Sequence, residues 1–377
     1  SFVLCLVPVL IFQKQFSFFD IFCFFSILVM DGFSVVPLSY LRHQSKVLTY
    51  SITRLLSVIV NILLNLVFFV MMKKNSASWV FLANLGGSSA GSFLLLILTK
   101  SLLNARSISV PLLKEIIVYC TPLTISSFAG MINENIDRVL IGILEPGDEI
   151  HRQMAVGIYG ASYKLGTLIY LFVGVFRLAF DPRLFQMVTN NLVVEFRRLT
   201  CLSIFLTGLS VLAIVFFIDY IKLIIAAEYH EGIKIVPFVA FSYLLYSALY
   251  FNSFWYKTVK GTFWSVVIIG AGAFITILFN FTLIPGYGYI AAAWTTLLSY
   301  ITMTMLSFLL GYKNFKIFPY KSVNTLLITN AFLIIAGIYM HERYNIPYLQ
   351  AGILAIAFYS VVYLFTEYTL RKNSVSN

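Results

Sequence analysis

The chain has 377 residues, of which 60% are hydrophobic, 17% aromatic and only 11% charged, and its mean hydropathy is +0.91. Soluble domains carry about 25% charged residues, so this chain has too little charge to cover a water-facing surface and reads as an integral membrane protein. The net charge of +11 sits mostly in short segments between apolar runs, which points to membrane topology and away from a nucleic-acid partner.

A helix needs roughly 20 apolar residues to cross a hydrocarbon core about 30 Å thick. Twelve runs qualify as spans of an all-α, polytopic transmembrane helix bundle, taken here in chain order as A to L. A is Ser1–Phe12, B is Phe16–Tyr40, C is Val47–Met72, D is Trp79–Thr99, E is Ile116–Leu144 and F is Met154–Phe180. G is Leu199–Ile218, H is Ile235–Tyr256, I is Thr262–Pro285, J is Tyr287–Leu310, K is Val323–Met340 and L is Tyr348–Phe365. Lys and Arg in the B–C, D–E, F–G, H–I and J–K connections and in the tail number fifteen, against seven in the alternate connections. The positive-inside rule then places the first set, and the C-terminus, on the cytoplasmic side.

The segment from Asn61, "NILLNLVFFVMMKKNSASWVFLANLGGSSAGSFLLLILTK", parallels that from Ile275, "ITILFNFTLIPGYGYIAAAWTTLLSYITMTMLSFLLGYK". Asn65 matches Asn280, and each copy continues through a short turn into a Gly/Ala/Ser-rich span ending in lysine. C therefore pairs with I and D with J, and by extension A with G and B with H, in two parallel repeats of a kind found in transporters. E and F open the second copy without counterparts before A. This suggests a chain lacking two N-terminal spans, with fourteen expected in the whole protein: two sixes and the extra pair K–L. The predicted division is an incomplete N-terminal bundle over residues 1–115, a C-terminal bundle over 116–315, and the extra pair with a tail over 316–377.

Four basic residues fall within or at the ends of apolar runs: Arg54, Arg138, Lys164 and Arg177. A cation at mid-membrane costs from about 3 to more than 10 kcal/mol, so each must face a protein interior, meet water or snorkel. Lys164 and Arg177 lie on one span with their Cα atoms about 20 Å apart at 1.5 Å per residue. Side chains tilt toward the helix N-terminus, which helps Lys164 escape to the outer surface and turns Arg177 back into the membrane. In "MINENIDRVL", Glu134 precedes Arg138 by four residues, a favourable ion-pair spacing, with Asp137 adjacent. Pro122 and Gly130 in the same span are candidate bending points. Asp31, beside Gly32 and ahead of Pro37, is a candidate buried carboxylate, either paired with a cation or binding a coupling ion. Other Tyr and Phe positions read as lipid- or core-facing. A cavity with several Arg and Lys suits a phosphate-bearing cargo, since guanidinium bonds phosphate bidentately.

Cys5, Cys23, Cys120 and Cys201 lie in or beside apolar runs and read as small buried hydrophobes, with no metal-like spacing. His43, His151, His230 and His341 are scattered at span ends and read as solvated. "GASYKLG" lacks the spacing and the lysine–hydroxyl pair of a P-loop, so neither metal, cofactor nor ATP hydrolysis is expected.

"PLTISSFAGMINENIDRVLIG" (Pro122–Gly142) followed by "VGIYGASYKLGTLIYLFVGVFRLAFDP" (Val156–Pro182) resembles the bacterial polysaccharide biosynthesis flippases. These are O-antigen and capsule lipid-linked oligosaccharide translocases of the multidrug/oligosaccharidyl-lipid/polysaccharide exporter superfamily. Asp137-Arg138, Gly157-Ile158-Tyr159, Tyr163-Lys164-Leu165 and Phe176-Arg177 carry the resemblance, with "VVPLSYLRHQSK" (Val35–Lys46) before C. It implies two six-span bundles that rock about a central cavity in a bacterial inner membrane, moving an undecaprenyl-pyrophosphate-linked oligosaccharide. Lys164, Arg177 and Arg138 become the candidate head-group contacts, with Arg54, Asp31, Glu134 and Asp137 as further cavity candidates. Partners would be the lipid-linked cargo, membrane lipids and unidentified assembly proteins. The competing expectations are a cation-coupled drug exporter relying on carboxylates such as Asp31, or a membrane-embedded glycan-polymerising or acyl-transferring enzyme. The enzyme reading lacks the sizeable polar loop or His/Asp cluster that such chemistry needs.

Overall fold

The computed structural model describes residues 17–44, 46–73, 76–100, 109–258, 261–344 and 347–375. Span A lies outside them. The described residues contain eleven helices long and apolar enough to cross a membrane, and no strand. They fall into two compact units, divided between Ser109 and Val110.

The first unit contains α1 (Phe18–His43), α2 (Val47–Leu66, extended by a π-helical turn Val67–Met71) and α3 (Ala77–Leu98). Ser17 starts α1 with a capping box, its side chain accepting from the Phe19 amide while Asp20 accepts from the Ser17 amide. α3 packs along both α1 and α2. The contact with α2 is close because Gly87 and Gly91 bring the α3 backbone against Ser57, whose hydroxyl donates to the Gly87 carbonyl at 2.9 Å. Small residues at such contacts let membrane helices approach without a hydrophobic driving force.

The second unit contains α4 (Val110–Leu144), α5 (Glu149–Thr189), α6 (Val193–Phe216), α7 (Val236–Asn252), α8 (Phe263–Tyr287), α9 (Tyr289–Gly311), α10 (Tyr320–Tyr344) and α11 (Tyr348–Val375). Short helical pieces over Ile218–Ile221, Lys222–Ile224 and Ala227–Ile235 join α6 to α7, and Phe254–Thr258 follows α7. At 41 residues α5 is about 60 Å long, twice the hydrocarbon thickness, so it projects well past the membrane. α7 lies against α5, α6 and α9 and is buried along almost its whole length. Within this unit α9 packs along both α7 and α8, the arrangement that α3 makes with α1 and α2. The paired spans of the two sequence copies thus pack alike inside their own units.

The tight turn between α8 and α9 passes through Gly288 at φ +64°, where an added Cβ would meet the Glu145 carboxylate. α10 and α11 dock on α6 through the Phe216 ring, which fills the space left by Gly337 and Gly352. Among the cysteines, Cys23 and Cys201 are buried as expected of small hydrophobes, whereas Cys120 is exposed on α4. His230 is not simply solvated: its Nε2 lies 3.0 Å from the Lys222 carbonyl and 3.2 Å from that of Ile225. His341 stacks on Tyr348 at 3.7 Å between ring centroids.

Candidate ligand cavity and polar network

Polar side chains spaced one helical turn apart converge inside the second unit. Asn133 and Asp137 on α4 face Thr276 and Asn280 on α8 and Thr295, Thr296 and Ser299 on α9. The Asp137 carboxylate, 1% exposed, accepts from Asn280 Nδ2 at 2.6 Å, Tyr159 Oη at 2.7 Å and Thr296 Oγ1 at 2.8 Å. Asn133 Oδ1 accepts from Thr276 at 2.5 Å and Ser299 at 2.8 Å, and Asn280 Oδ1 accepts from Thr295 at 2.5 Å. Every polar atom in such a cluster must be matched, because hydrocarbon offers no alternative partner.

Next to this cluster, tyrosines from three helices share Glu134. Tyr243 donates to its Oε2 at 2.7 Å, Tyr163 to the same atom at 3.1 Å, and Tyr300 to Oε1. The expected Glu134–Arg138 ion pair does not form. Glu134 is occupied by phenol hydroxyls, and Arg138 turns its guanidinium over the Tyr163 ring, 4.9 Å from the centroid, with Asn135 Oδ1 at 3.3 Å. The i,i+4 spacing was satisfied, but three phenol donors sit closer to the carboxylate than the arginine does.

Arg177 lies one layer further along α5. Its Nη1 donates to Tyr246 Oη at 2.8 Å, and its guanidinium stands 5.1 Å from the Tyr250 ring centroid. Lys257 Nζ stands 5.1 Å from that same ring and 5.4 Å from Phe254. Tyr250 also donates to Asp181. Two cations therefore meet at one tyrosine, an arrangement in which each cation–π contact supplies about 0.5–2 kcal/mol. Arg177, Lys257, Glu134, Tyr170, Tyr246 and Tyr300 line a cleft of about 540 Å³ in the second unit.

The structure brings together Glu134, Asp137, Arg138 and Arg177 among the candidates. It leaves Lys164 apart: this residue is exposed, about 140° round the helix from Arg177 at 3.6 residues per turn, in line with exposed Leu168, Leu171 and Val175. Arg54 and Asp31 belong to the first unit, where both are exposed. Asp31 is thus not the buried carboxylate its Gly and Pro neighbours suggested; the buried face of α1 runs through Ser34, Leu38 and Leu41 instead. Lys257, assigned from sequence to a cytoplasmic connection, is a cavity residue. So are Tyr170, Tyr246, Tyr250 and Tyr300, whereas Tyr159, Tyr163 and Tyr243 are buried in the core, as the sequence reading of tyrosines as lipid- or core-facing expects. The cavity tyrosines left a signal, since Tyr246 and Tyr250 recur at single-face helical spacing. Pro122 lies inside α4, which runs as one helix from Val110 to Leu144.

Comparison with known proteins bears directly on this arrangement. Residues 1–188, which include α4 and most of α5, match the model of the family described as polysaccharide biosynthesis protein. The chain belongs to that family. It is also similar to the capsular polysaccharide biosynthesis protein CapF of Staphylococcus aureus, 24% identical over 217 residues, covering 53% of this chain and 50% of that protein. The chain thus spans about half the length of this curated relative. No solved structure matches. This polysaccharide biosynthesis family member is a multi-pass membrane protein, and both cations of the cleft lie in the unit that carries the Asp137-Arg138 and Phe176-Arg177 motifs.

Proposed function

We propose that the protein is a flippase, moving an undecaprenyl-pyrophosphate-linked oligosaccharide across a bacterial inner membrane by alternating access and breaking no bonds in the cargo. The observation that carries this reading is the convergence of Arg177 and Lys257 on Tyr250 in a cleft walled by tyrosines. Guanidinium and ammonium supply a bidentate donor and a compact counter-charge for a pyrophosphate. Phenol rings and hydroxyls offer flat apolar faces and hydrogen-bond groups suited to sugar. By the distribution of basic residues, the end of α5 that carries Arg177 and the Phe254–Thr258 helix that carries Lys257 face the cytoplasm, where a newly assembled lipid-linked oligosaccharide is loaded. Arg138 is a weaker head-group candidate because Tyr163 already engages it, and Lys164 is one only from a separate face. Family membership and the relative's role in capsular polysaccharide biosynthesis support the choice of cargo.

The cation-coupled drug exporter is disfavoured on the same geometry. A cationic drug needs a free carboxylate, whereas Glu134 and Asp137 are each filled by three hydroxyl or amide donors. The reading is tested with the full-length protein in vesicles containing a pyrophosphate-linked oligosaccharide. The expected result is movement of the glycan to the opposite leaflet faster than in protein-free vesicles. Equal rates, or efflux of cationic dyes in place of glycan movement, refute it.

A further inference from the structure

A second opening in the second unit belongs to none of this. It is a groove of about 830 Å³ bounded by the end of α6, the Ile218–Ile235 segment, α7, α9, α10 and the start of α11. Its depth is apolar, set by Phe241, Leu297, Ala331 and Ile335, and its charged residues gather at one end. From Ala331 to Glu342, both in the lining, α10 rises about 16 Å. That is half of a hydrocarbon core about 30 Å thick, the depth of a single leaflet.

The charged end carries both signs. Asp219 and Lys222 are paired there at 2.6 Å. Lys234 and Glu342 are both exposed and border the same groove, yet they form no ion pair with each other or with any described residue. One unpaired cation and one unpaired anion, held apart at the mouth of an apolar slot, complement a head group that itself carries a phosphate and an ammonium. An anionic head group would meet Lys234 and be opposed by Glu342, Asp219 being already neutralised by Lys222, and like-charge juxtaposition is a means of rejecting the wrong partner. The distribution of basic residues puts Lys222 and Lys234 at the outer face.

We propose that this groove is a binding site for one phosphatidylethanolamine molecule of the outer leaflet. Its phosphate meets Lys234, its ammonium meets Glu342, and acyl chain lies along Phe241, Ala331 and Ile335. The site is independent of the cargo reading, since no residue of the Arg177 cleft contributes to it.

Native mass spectrometry of the full-length protein in detergent, with phosphatidylethanolamine and phosphatidylglycerol supplied at equal concentration, tests this. The expected result is preferential retention of phosphatidylethanolamine. Lys234→Glu and Glu342→Lys should each cut that retention about tenfold, the loss of one ionic contact worth ~1.4 kcal/mol. Ala331→Trp, which fills the slot and leaves the rim intact, should abolish retention of either lipid at an unchanged elution volume. Equal or greater retention of phosphatidylglycerol overturns the proposal. So does retention insensitive to all three substitutions, or occupation of the groove by undecaprenyl phosphate in preference to both phospholipids.

Discussion

Arg177→Gln is expected to slow glycan translocation about tenfold to a hundredfold while the protein still inserts and elutes as the parent does. A charge-assisted hydrogen bond contributes about 1.5–3 kcal/mol, and each 1.4 kcal/mol is roughly a factor of ten. Arg177 is the cation with the stronger claim, because its fork geometry serves a pyrophosphate and Tyr246 holds it in place at 2.8 Å. Arg177→Lys keeps the charge but loses the paired donors and should fall between parent and Gln variant. Lys257→Gln should have a smaller effect in the same direction. The two cations share the Tyr250 ring, so the double variant should depart from the sum of the singles, as residues in one network do. Initial rates in vesicles at saturating cargo, normalised to reconstituted protein, decide the matter. Parent-like rates for both single variants would remove this cleft from the transport cycle.

Asp137→Ala should act on stability, with transport lost only as a consequence. The substitution leaves the Asn280 amide and the Tyr159 and Thr296 hydroxyls facing a void, with no water to take their place. An orphaned buried donor costs about 1–3 kcal/mol, and interhelical hydrogen bonds in membrane proteins average nearer 0.6, so a total of about 2–5 kcal/mol is expected. The void adds to it. Asp137→Asn should cost much less. Its carbonyl still accepts from Asn280, and its amide can donate to the Tyr159 and Thr296 hydroxyls, which are able to reverse their roles. The midpoint of thermal unfolding in detergent should therefore fall in the order parent, Asn, Ala. An Ala midpoint equal to the parent's would mean that this network does not hold α4, α8 and α9 together.

The membrane-spanning character was legible because it depends on summed composition over long runs, where single misreadings average out. The spans from Phe18 onward appear as helices, with F extended well beyond Phe180 because its amphipathic continuation is helical outside the apolar run. The site was only partly legible. Arg177 stood out because a cation in an apolar run needs an explanation, and that reasoning is local. The partner choice of Arg138 was misjudged because helical spacing registers neighbours on one helix, whereas the competing phenols arrive from α5, α7 and α9. Lys257 escaped notice for the same reason. Placed at a span end it looked like an ordinary loop lysine, and only the fold of Phe254–Thr258 against Tyr250 turns it inward. Asp31 shows the converse, a carboxylate between helix-distorting residues that the packing of α1 leaves exposed on its unit.

The central claim is that Arg177 and Lys257 together hold a negatively charged head group. It is tested most directly by the affinity of the purified full-length protein for undecaprenyl-pyrophosphate-linked oligosaccharide, compared with the same glycan on a neutral polyprenol. The pyrophosphate form should bind at least about tenfold more tightly, a difference of ~1.4 kcal/mol, and the double Arg177→Gln, Lys257→Gln variant should erase that preference. Equal affinities in the parent protein, or a preference that survives the double substitution, would contradict it.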